Sequence, residues 1–357
     1  MNWDIFCKVI DHYGDAGVCW RLARQLAREH GQAVRLWIDT PETLAPLIAN
    51  SATLGIDIRR WAEHAPLPDF APIADVIVEA FACNLPDNLV AAMAACKNPP
   101  CWINLEYLGL EDWVETCHPL PSPHPRHPRL KKYFFFPGFT PKTGGLLRED
   151  NLFACQQAFL ATRSDTEKPL DISFFCYDTA PLVPLLRAWT EDAQPLRVLV
   201  APGKAQETLS TAWKTQPHQG KLHLVAAPFV AQDAYDERLW SCDLNFVRGE
   251  DSFVRAQWAG KPFVWQPYPQ TGGAHAEKLA AFLVRFTATL PAAESALLTH
   301  FWHAWNGLEA PETLTRLWPD FRAALPVFRR HAEHWRDTLA QQEDLARKLL
   351  HFCRKQV

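Results

Sequence analysis

The amino-acid sequence predicts an α/β protein with two successive parallel-sheet domains, and three observations support this prediction. Short apolar runs alternate with amphipathic segments through the first half of the chain. After a polar break the same alternation begins again and continues to about residue 266. Short apolar runs between helices are typical of strands in a parallel sheet that is covered on both faces. The length of 357 residues also suits two domains, at about 150 residues each.

The first half is predicted to begin with a strand, a turn and an amphipathic helix. Val18, Leu22 and Leu26 recur every four residues, which predicts a helix that ends near Gly31. The arginines of this segment, at positions 21, 24 and 28, are expected on its opposite face. The other predicted elements of this half are strands at 5–10, 33–38, 75–80 and 101–105, a turn at 11–17 and a helix at 41–49.

Residues 117–141 interrupt the pattern. The prolines between positions 118 and 129 do not fit inside a helix or a central strand, so we expect a long loop, a kind of segment that is often functional. Zinc binding is disfavoured there, because prolines separate the candidate ligands Cys117, His118, His124 and His127. The loop also carries a basic patch, either solvated or a contact for an acidic partner. Its members are Arg126, Arg129, Lys131 and Lys132.

The second half is predicted to repeat the alternation of strands and helices. Polar residues at 161–169 mark the boundary, so we expect domains at 1–162 and 163–334. Residues of the tail from Trp335 to Phe352 share one helical stripe, which predicts a C-terminal helix over about 335–357. The predicted strands are 172–177, 196–200, 222–225, 244–247 and 262–266, and the predicted helices are 182–189, 235–240 and 253–259.

Composition narrows the class of protein. The formal net charge of −4 argues against a protein that grips duplex nucleic acid through a broad basic face, and 48% hydrophobic residues exclude a mainly disordered chain. There is no apparent signal peptide and no run of 18 uncharged apolar residues, so we expect a cytoplasmic protein without a membrane span. Ten cysteines without a Cys-x-x-Cys pair suit reduced thiols. The 15 tryptophans are expected mostly in the core.

The first candidate site follows the first predicted strand, at Asp11-x-x-Gly14-Asp15-x-Gly17. Two carboxylates four residues apart, with glycines that allow close approach of the backbone, can orient a nucleophile or accept its proton. Alternatively, Asp15 caps the helix and Gly17 permits tight packing. The motif alone favours this structural interpretation.

The second candidate site lies where a predicted strand runs into Gly249 and a helix begins. Backbone N–H groups of Glu250, Asp251 and Ser252 can cradle a pyrophosphate, and Arg248 can balance its charge. Glu250 can also accept a hydrogen bond from a ribose or sugar hydroxyl. The alternative, that the acidic and hydroxyl residues only cap the helix, is about equally supported by the motif.

Aromatic residues at neighbouring strand ends suggest a nucleoside pocket around the second site. Rings can stack on a base, and Gln232 can pair with a pyrimidine imide. Such aromatic residues are more often simply part of the core. The residues concerned are Phe175, Tyr177, Phe229 and Tyr235.

Four motifs together resemble the EarP family of bacterial protein-arginine rhamnosyltransferases, which modify translation elongation factor P. The resemblance spans nearly the whole chain and implies a GT-B glycosyltransferase fold, with two Rossmann-like domains facing across a cleft. It places the acceptor on the first domain and the nucleotide sugar on the second, with the last helix packed back on the first. The motifs are the segment from Asp11 to Arg24, Phe136-Pro-Gly-Phe-Thr-Pro-Lys-Thr-Gly-Gly145, Phe175-x-Tyr177 and Phe246-Val-Arg-Gly-Glu-Asp-Ser252.

The resemblance also implies a reaction. L-Rhamnose would pass from TDP-β-L-rhamnose to a guanidine nitrogen of one arginine, with inversion and without a metal or other cofactor. Asp15 would be the catalytic carboxylate and Asp11 its partner. The family often has Asn where this chain has His12, and some members have Phe in place of Tyr235. The implied donor contacts are Tyr13, Gly14, Gly17, Phe175, Tyr177, Phe229, Gln232, Tyr235, Arg248, Gly249, Glu250, Asp251, Ser252 and Tyr268.

Two other functions stay open at the level of sequence. One is a GT-B enzyme with a different nucleotide sugar or acceptor, because thymidine and uridine diphosphates differ by one methyl group in the base. The other is a non-enzymatic protein that binds a translation factor or RNA through the basic loop and exposed tryptophans. The net charge and the paired-domain pattern speak against this second alternative.

Overall fold

The computed structural model divides the chain into two compact units, which we describe separately. Unit 1 comprises Met1–Leu152 and Gln341–Val357, and unit 2 comprises Phe153–Ala340. The division therefore lies ten residues before the expected 162/163 boundary, and the return to unit 1 begins at Gln341 and not near 335. The structure describes residues 1–11, 13–48, 55–62, 72–163, 169–215, 220–269 and 273–357.

Unit 1 contains a seven-stranded sheet whose strands follow the order β3-β2-β1-β4-β5-β7-β6. All neighbouring strands are parallel except β6, which pairs antiparallel with β7. The elements are β1 Asn2–Cys7, α1 Tyr13–Arg28, β2 Ala33–Ile38, α2 Ala45–Ile48, β3 Asp57–Arg60, β4 Val76–Ala80, α3 Asp87–Ala95, β5 Cys101–Leu105, α4 Val114–Cys117, β6 Pro121–Pro123 and β7 Lys131–Phe135.

Unit 2 contains a five-stranded parallel sheet with the order β10-β9-β8-β11-β12. Its elements are α5 Leu152–Ala161, β8 Leu170–Phe174, α6 Leu182–Thr190, β9 Leu196–Val200, α7 Lys204–Thr215, β10 Leu222–Ala226, α8 Gln232–Ser241, β11 Leu244–Arg248, α9 Asp251–Ala259, β12 Phe263–Gln266, α10 Ala274–Thr287, α11 Ala292–Trp305, α12 Glu312–Ala323 and α13 Leu325–Ala340. The last helix of the chain, α14 Leu345–Cys353, belongs to unit 1.

The two sheets share, at equivalent positions, an ion pair whose aspartate is buried. In unit 1, Asp4 of β1 faces Arg35 of β2 in the strand register, and their charged atoms lie 2.6 Å apart. In unit 2, Asp171 of β8 faces Arg197 of β9 at the same separation of 2.6 Å. Each pair joins the first strand of a unit to the second. The two units therefore share this interaction although their sequences show no internal repeat.

Most of the tryptophan surplus lies in the core, as expected. Eight tryptophans are among the largest side chains with under 2% of their surface exposed. Five of them belong to unit 2, where Trp189 and Trp305 pack edge-on against Phe174 and Phe246. Large aromatic side chains bury more apolar area than aliphatic ones, so they stabilise a small sheet effectively.

Many of the predicted elements are confirmed. Three strands have the predicted bounds, namely Ala33–Ile38, Cys101–Leu105 and Leu196–Val200. Helix α1 begins at Tyr13, inside the predicted turn at 11–17. The predicted helix at 41–49 is a short 3₁₀ turn, Pro41–Thr43, followed by α2, and residue 49 lies outside the described residues. Residues 164–168 of the expected domain boundary also lie outside them.

Two expectations were wrong, and the arginine face of α1 is largely covered. Residues 117–141 contain β6 and β7, because the prolines of the edge strand β6 lie at its ends, where no central ladder is interrupted. The tail forms two helices, α13 and α14, and Asp344 caps the second by accepting a hydrogen bond from the Arg347 backbone N–H at 3.0 Å. Arg21 and Arg24 are buried and bind Glu149 at 3.1 and 3.2 Å.

Candidate active site

Among the parallel strands of each sheet, the strand order reverses at one position. In unit 1 it lies between β1 and β4, and in unit 2 between β8 and β11. Open parallel sheets bind ligands beyond the carboxyl ends of their strands at such a switch point. Asp11 and Asp15 follow β1, whereas Arg248 ends β11 and Gly249–Ser252 follow it, so both predicted motifs lie at a switch point.

Asp15 is held firmly in the turn between β1 and α1. It lies in the first turn of α1 with 3% of its surface exposed. Its Oδ2 atom accepts hydrogen bonds from the backbone N–H groups of Ile10 at 2.7 Å and Asp11 at 2.8 Å. N–H donors and the helix N-terminus both favour the ionised carboxylate. Asp15 thus stabilises the turn that precedes α1, and its carboxylate is held in a fixed orientation at the switch point.

Glycine at position 14 makes room for the second carboxylate. The Asp11 carbonyl accepts a hydrogen bond from the Gly14 N–H at 2.7 Å, which closes the turn. A Cβ atom at position 14 would lie 3.0 Å from Asp11 Oδ2, closer than most real contacts. Tyr13 packs partly buried on the core of unit 1, Gly17 is buried within α1, and His12 lies outside the described residues.

Cys7 ends β1 near these carboxylates but is not a nucleophile. A hydrogen bond with Cys19, burial and the charges of Asp15 and Asp39 raise the pKa of its thiol well above the ordinary value. Only the thiolate is strongly nucleophilic. The candidate reactive groups at this edge are therefore the carboxylates.

The turn after β11 is closed by its own hydrogen bonds. Gly249 has a φ of +61°, which favours glycine, and its N–H donates to the Gln266 carbonyl at 3.0 Å. Its carbonyl accepts a hydrogen bond from Trp265 Nε1 at 2.7 Å. Ser252 Oγ accepts from the Arg248 N–H at 3.1 Å and donates to the Arg248 carbonyl, so this hydroxyl stabilises the turn. These contacts hold the N-terminus of α9 in place.

The guanidinium of Arg248 lies against the rings of Phe175 and Tyr177. Its carbon is 4.2 Å from the Phe175 ring centre and 4.5 Å from that of Tyr177. Its Nη1 atom donates a hydrogen bond to the Cys176 carbonyl at 3.4 Å. The two aromatic residues predicted to contact a nucleoside thus both face the cation predicted to contact its phosphates.

Other residues predicted to contact the nucleotide sugar lie around Arg248, Phe175 and Tyr177. Tyr268 packs edge-on against Tyr177 with ring centres 5.5 Å apart, and Tyr235 packs edge-on against Phe175 at 6.3 Å. Burial raises the pKa of the Tyr235 hydroxyl, so it stays protonated. Gln232 Nε2 donates to Asp251 Oδ2 at a long 3.4 Å.

Phe229 is placed differently from the other predicted residues. It follows β10, which lies two strands from the switch point, and 43% of its surface is exposed. The structure thus puts it at the rim and not at the centre of the predicted pocket.

Two residues that sequence reasoning missed help to shape this site. Lys278 of α10 forms an ion pair with Glu250 at 2.6 Å. Gln266, at the end of β12, accepts a hydrogen bond from the Tyr177 N–H at 2.8 Å and donates to Thr179 at 3.2 Å. A glutamine at the end of an otherwise apolar predicted strand is the only sequence feature that marked either of them.

The histidines of the basic loop have structural partners. His118 Nδ1 accepts a hydrogen bond from the Phe136 N–H at 3.1 Å, and burial lowers its pKa to about 4. The rings of His124 and His127 stack with their centres 5.2 Å apart.

Across the residues that the structure describes, no group of three or more His, Cys, Asp or Glu side chains is arranged to hold a metal ion. In the same residues, no helix has the length and apolar character needed to cross a membrane.

The basic patch is largely engaged in ion pairs and hydrogen bonds. Arg126 pairs with Asp87 at 2.6 Å, and Lys132 pairs with the buried Glu79 at 3.1 Å. Arg129 donates a hydrogen bond to the Lys97 carbonyl at 2.7 Å. Arg126, Arg129 and Lys131 nevertheless stay exposed, which both a solvated patch and a contact for an acidic partner require.

Comparisons with known proteins point to one family. A profile of the family described as Elongation-Factor P (EF-P) rhamnosyltransferase EarP matches residues 3–354. The protein-arginine rhamnosyltransferase of Pseudomonas putida is 46% identical over 379 aligned positions, which cover 99% of this chain and 98% of that protein. A solved structure described as the structural basis for EarP-mediated arginine glycosylation of translation elongation factor EF-P is 33% identical, with a TM-score of 0.68 over 100% of this chain and 99% of its own.

A more distant similarity concerns the fold alone. MurG of Acinetobacter baumannii is 14% identical and has a TM-score of 0.56, with 99% of both chains covered. MurG has the GT-B fold of nucleotide-sugar transferases. The two parallel sheets of this chain and these structural neighbours confirm the predicted GT-B fold class.

Proposed function

The chain belongs to the EF-P rhamnosyltransferase EarP family, and on that premise we propose that it transfers L-rhamnose from TDP-β-L-rhamnose to translation elongation factor P. The acceptor is a guanidine nitrogen of one arginine, and the reaction inverts the configuration at the sugar C1. The observation that carries this proposal is the oriented, buried carboxylate of Asp15 at the switch point of unit 1. A cationic acceptor needs an anionic partner of this kind.

The chemistry explains why a carboxylate is required. The pKa of an arginine side chain lies far above neutral pH, so the acceptor reaches the enzyme protonated and is a poor nucleophile. As its nitrogen attacks C1 from the face opposite the diphosphate, the C–N bond forms and the C1–O bond to TDP breaks. The proton lost from the attacking nitrogen passes to Asp15, and TDP leaves with the electron pair of the broken bond. Asp11 holds further N–H groups of the guanidinium.

On the donor side, the departing diphosphate gains negative charge. The N-terminus of α9 and the guanidinium of Arg248 can stabilise that charge. We expect TDP to draw the guanidinium away from Phe175 and Tyr177 toward the phosphates, which uncovers both rings for the nucleoside. With these groups in place the proposed reaction needs no metal ion. Both substrates are expected in the cytoplasm.

A direct transfer assay tests the proposal. The protein is incubated with TDP-rhamnose and elongation factor P in the presence of a chelator, and the factor is analysed by mass spectrometry. We expect a gain of one deoxyhexose on a single arginine. Transfer only from UDP- or GDP-sugars, or onto a residue other than arginine, would refute the donor or the acceptor assignment respectively.

A further inference from the structure

The turn after β4 has an unusual backbone. Phe81 and Ala82 have φ values of 57° and 52°, a left-handed conformation that side chains with a Cβ rarely adopt. The Phe81 N–H donates to the Leu105 carbonyl at 2.7 Å, and the Cys83 N–H donates to the Ala80 carbonyl at 3.2 Å. Two successive strained residues persist only where the surroundings hold them, and such places are often functional sites.

This turn presents an aromatic pair at the carboxyl edge of the sheet. The ring of Phe81 stacks on that of Tyr107, which follows β5, with centres 4.4 Å apart and planes 15° from parallel. Both side chains are partly exposed. With this left-handed backbone, the Phe81 ring lies against Tyr107 at the neighbouring strand end.

The pair lies beside the catalytic carboxylates within unit 1. Strands β1 and β4 are neighbours in register, with Phe6 opposite Glu79, and they flank the switch point. Neighbouring strands are about 4.8 Å apart, so the turns that follow them leave the sheet side by side. Tyr13 of α1 and Phe81 also pack against the same core cluster. The aromatic pair and the Asp11–Asp15 turn therefore border the same ligand position.

We propose that Phe81 and Tyr107 form the platform on which the guanidinium of the acceptor arginine stacks. This inference rests on the arginine transfer proposed above and adds the residues that bind the acceptor. A guanidinium is planar and weakly hydrated, so it stacks on aromatic faces while its N–H groups point outward in its own plane. Stacking on the platform leaves the edge of the guanidinium free for Asp11 and Asp15. A lysine ammonium has no plane to align in this way.

Kinetics with matched variants test the platform. The variants Phe81→Leu and Tyr107→Leu each remove an aromatic ring. The variants Phe81→Tyr and Tyr107→Phe keep the ring. All four residues retain a Cβ atom, so the backbone at both positions meets the same steric demand. We expect each leucine variant to raise the KM for elongation factor P about tenfold at saturating TDP-rhamnose. The aromatic variants should stay within about twofold of the parent, and calorimetric affinity for TDP should not change in any of them.

The outcomes separate this inference from the proposed function. A parent enzyme that transfers no rhamnose to arginine would refute the proposed function itself. An active parent whose leucine variants keep the parental acceptor KM would refute the platform alone. Thermal unfolding of each variant verifies folding, and because the two rings lie on different turns, either leucine variant decides the question if the other fails to fold.

Discussion

At the scale of single residues, the proposed reaction gives Asp15 two tasks that have different requirements. One oxygen, Oδ2, accepts two backbone N–H bonds that shape the turn after β1. In the proposed reaction the same carboxylate also accepts a proton. An amide oxygen can still accept the N–H bonds but cannot serve as a base, so the two tasks can be separated by mutation.

We therefore predict that Asp15→Asn folds normally and lowers the rate of rhamnose transfer by about 10²–10⁴-fold, the usual contribution of general base catalysis. TDP-rhamnose affinity should stay close to that of the parent. The rate is measured by mass spectrometry of elongation factor P, with Asp57→Asn on the surface of unit 1 as the matched control. An Asp15→Asn enzyme with the parental rate would contradict the assignment.

The role of Arg248 can be tested by the direction in which its substitution changes the affinity for TDP. If its guanidinium binds the diphosphate, Arg248→Ala loses a charged hydrogen bond and TDP binds about 10- to 100-fold more weakly. If the guanidinium only covers Phe175 and Tyr177, its removal exposes the rings and tightens binding. We expect the weaker binding. Calorimetry with TDP decides, and Arg187→Ala, an exposed arginine of unit 2, is the control.

The sequence could predict where these residues lie but not what they contact. Each of the two turns follows a short apolar run and contains a glycine and a polar helix start. This pattern lies within about ten residues, so both turns could be predicted from the sequence. The contact of Arg248 with the Cys176 carbonyl joins residues 72 positions apart. Which strands are neighbours decides such a contact, and the alternation of strands and helices leaves the order of strands open.

At the scale of elements, the C-terminal segment explains two features that local patterns could not. It covers one side of α1, where Gln25 donates a hydrogen bond to Asp344 at 3.0 Å, so the polar face of that helix is not a solvent face. It also clamps the glycine-rich segment at 136–145. Gln342 donates to the Phe139 carbonyl at 2.9 Å, and Lys348 donates to the Thr143 carbonyl at 2.8 Å. The spacing of apolar residues shows which face of a helix is polar. It does not show whether a distant segment of the chain covers that face.

His118 gives this region a measurable pH dependence. Burial and, secondarily, the Lys348 charge lower its pKa to about 4, whereas an unfolded histidine has a pKa of about 6.5. The unfolded chain therefore binds the proton more readily, and stability is full above pH 6.5 and falls as the pH drops toward 4. We predict that His118→Asn, which cannot titrate, removes about 1–2 kcal/mol of the stability difference between pH 7.5 and pH 5.

Urea unfolding at both pH values measures this effect. His223→Asn, at an exposed histidine of β10, serves as the control for the substitution itself. An unchanged difference in the His118→Asn variant would show that His118 does not titrate with the expected shift.

At the scale of the whole molecule, unit 1 is built from two distant parts of the chain. Helix α14 places Leu345, Leu349, Leu350 and Cys353 in the same core cluster as β1 and α1, and all four are at most 2% exposed. Cys353 Sγ lies 3.7 Å from Cys101 Sγ of β5. Unit 2, in contrast, is one continuous segment. The two units therefore depend differently on the C-terminus of the chain.

Deletion of residues 341–357 should consequently affect one unit only. Each buried leucine contributes about 1.5–3 kcal/mol, so the loss of α14 removes free energy comparable with the 5–15 kcal/mol that stabilises a typical domain. We predict that unit 1 fails to fold whereas unit 2 keeps its protection in hydrogen exchange. Deletion of only residues 354–357, whose side chains are exposed, is the matched control and should leave both units protected. Protection of β1 and β5 in the chain that lacks 341–357 would show that unit 1 is stable without its C-terminal part.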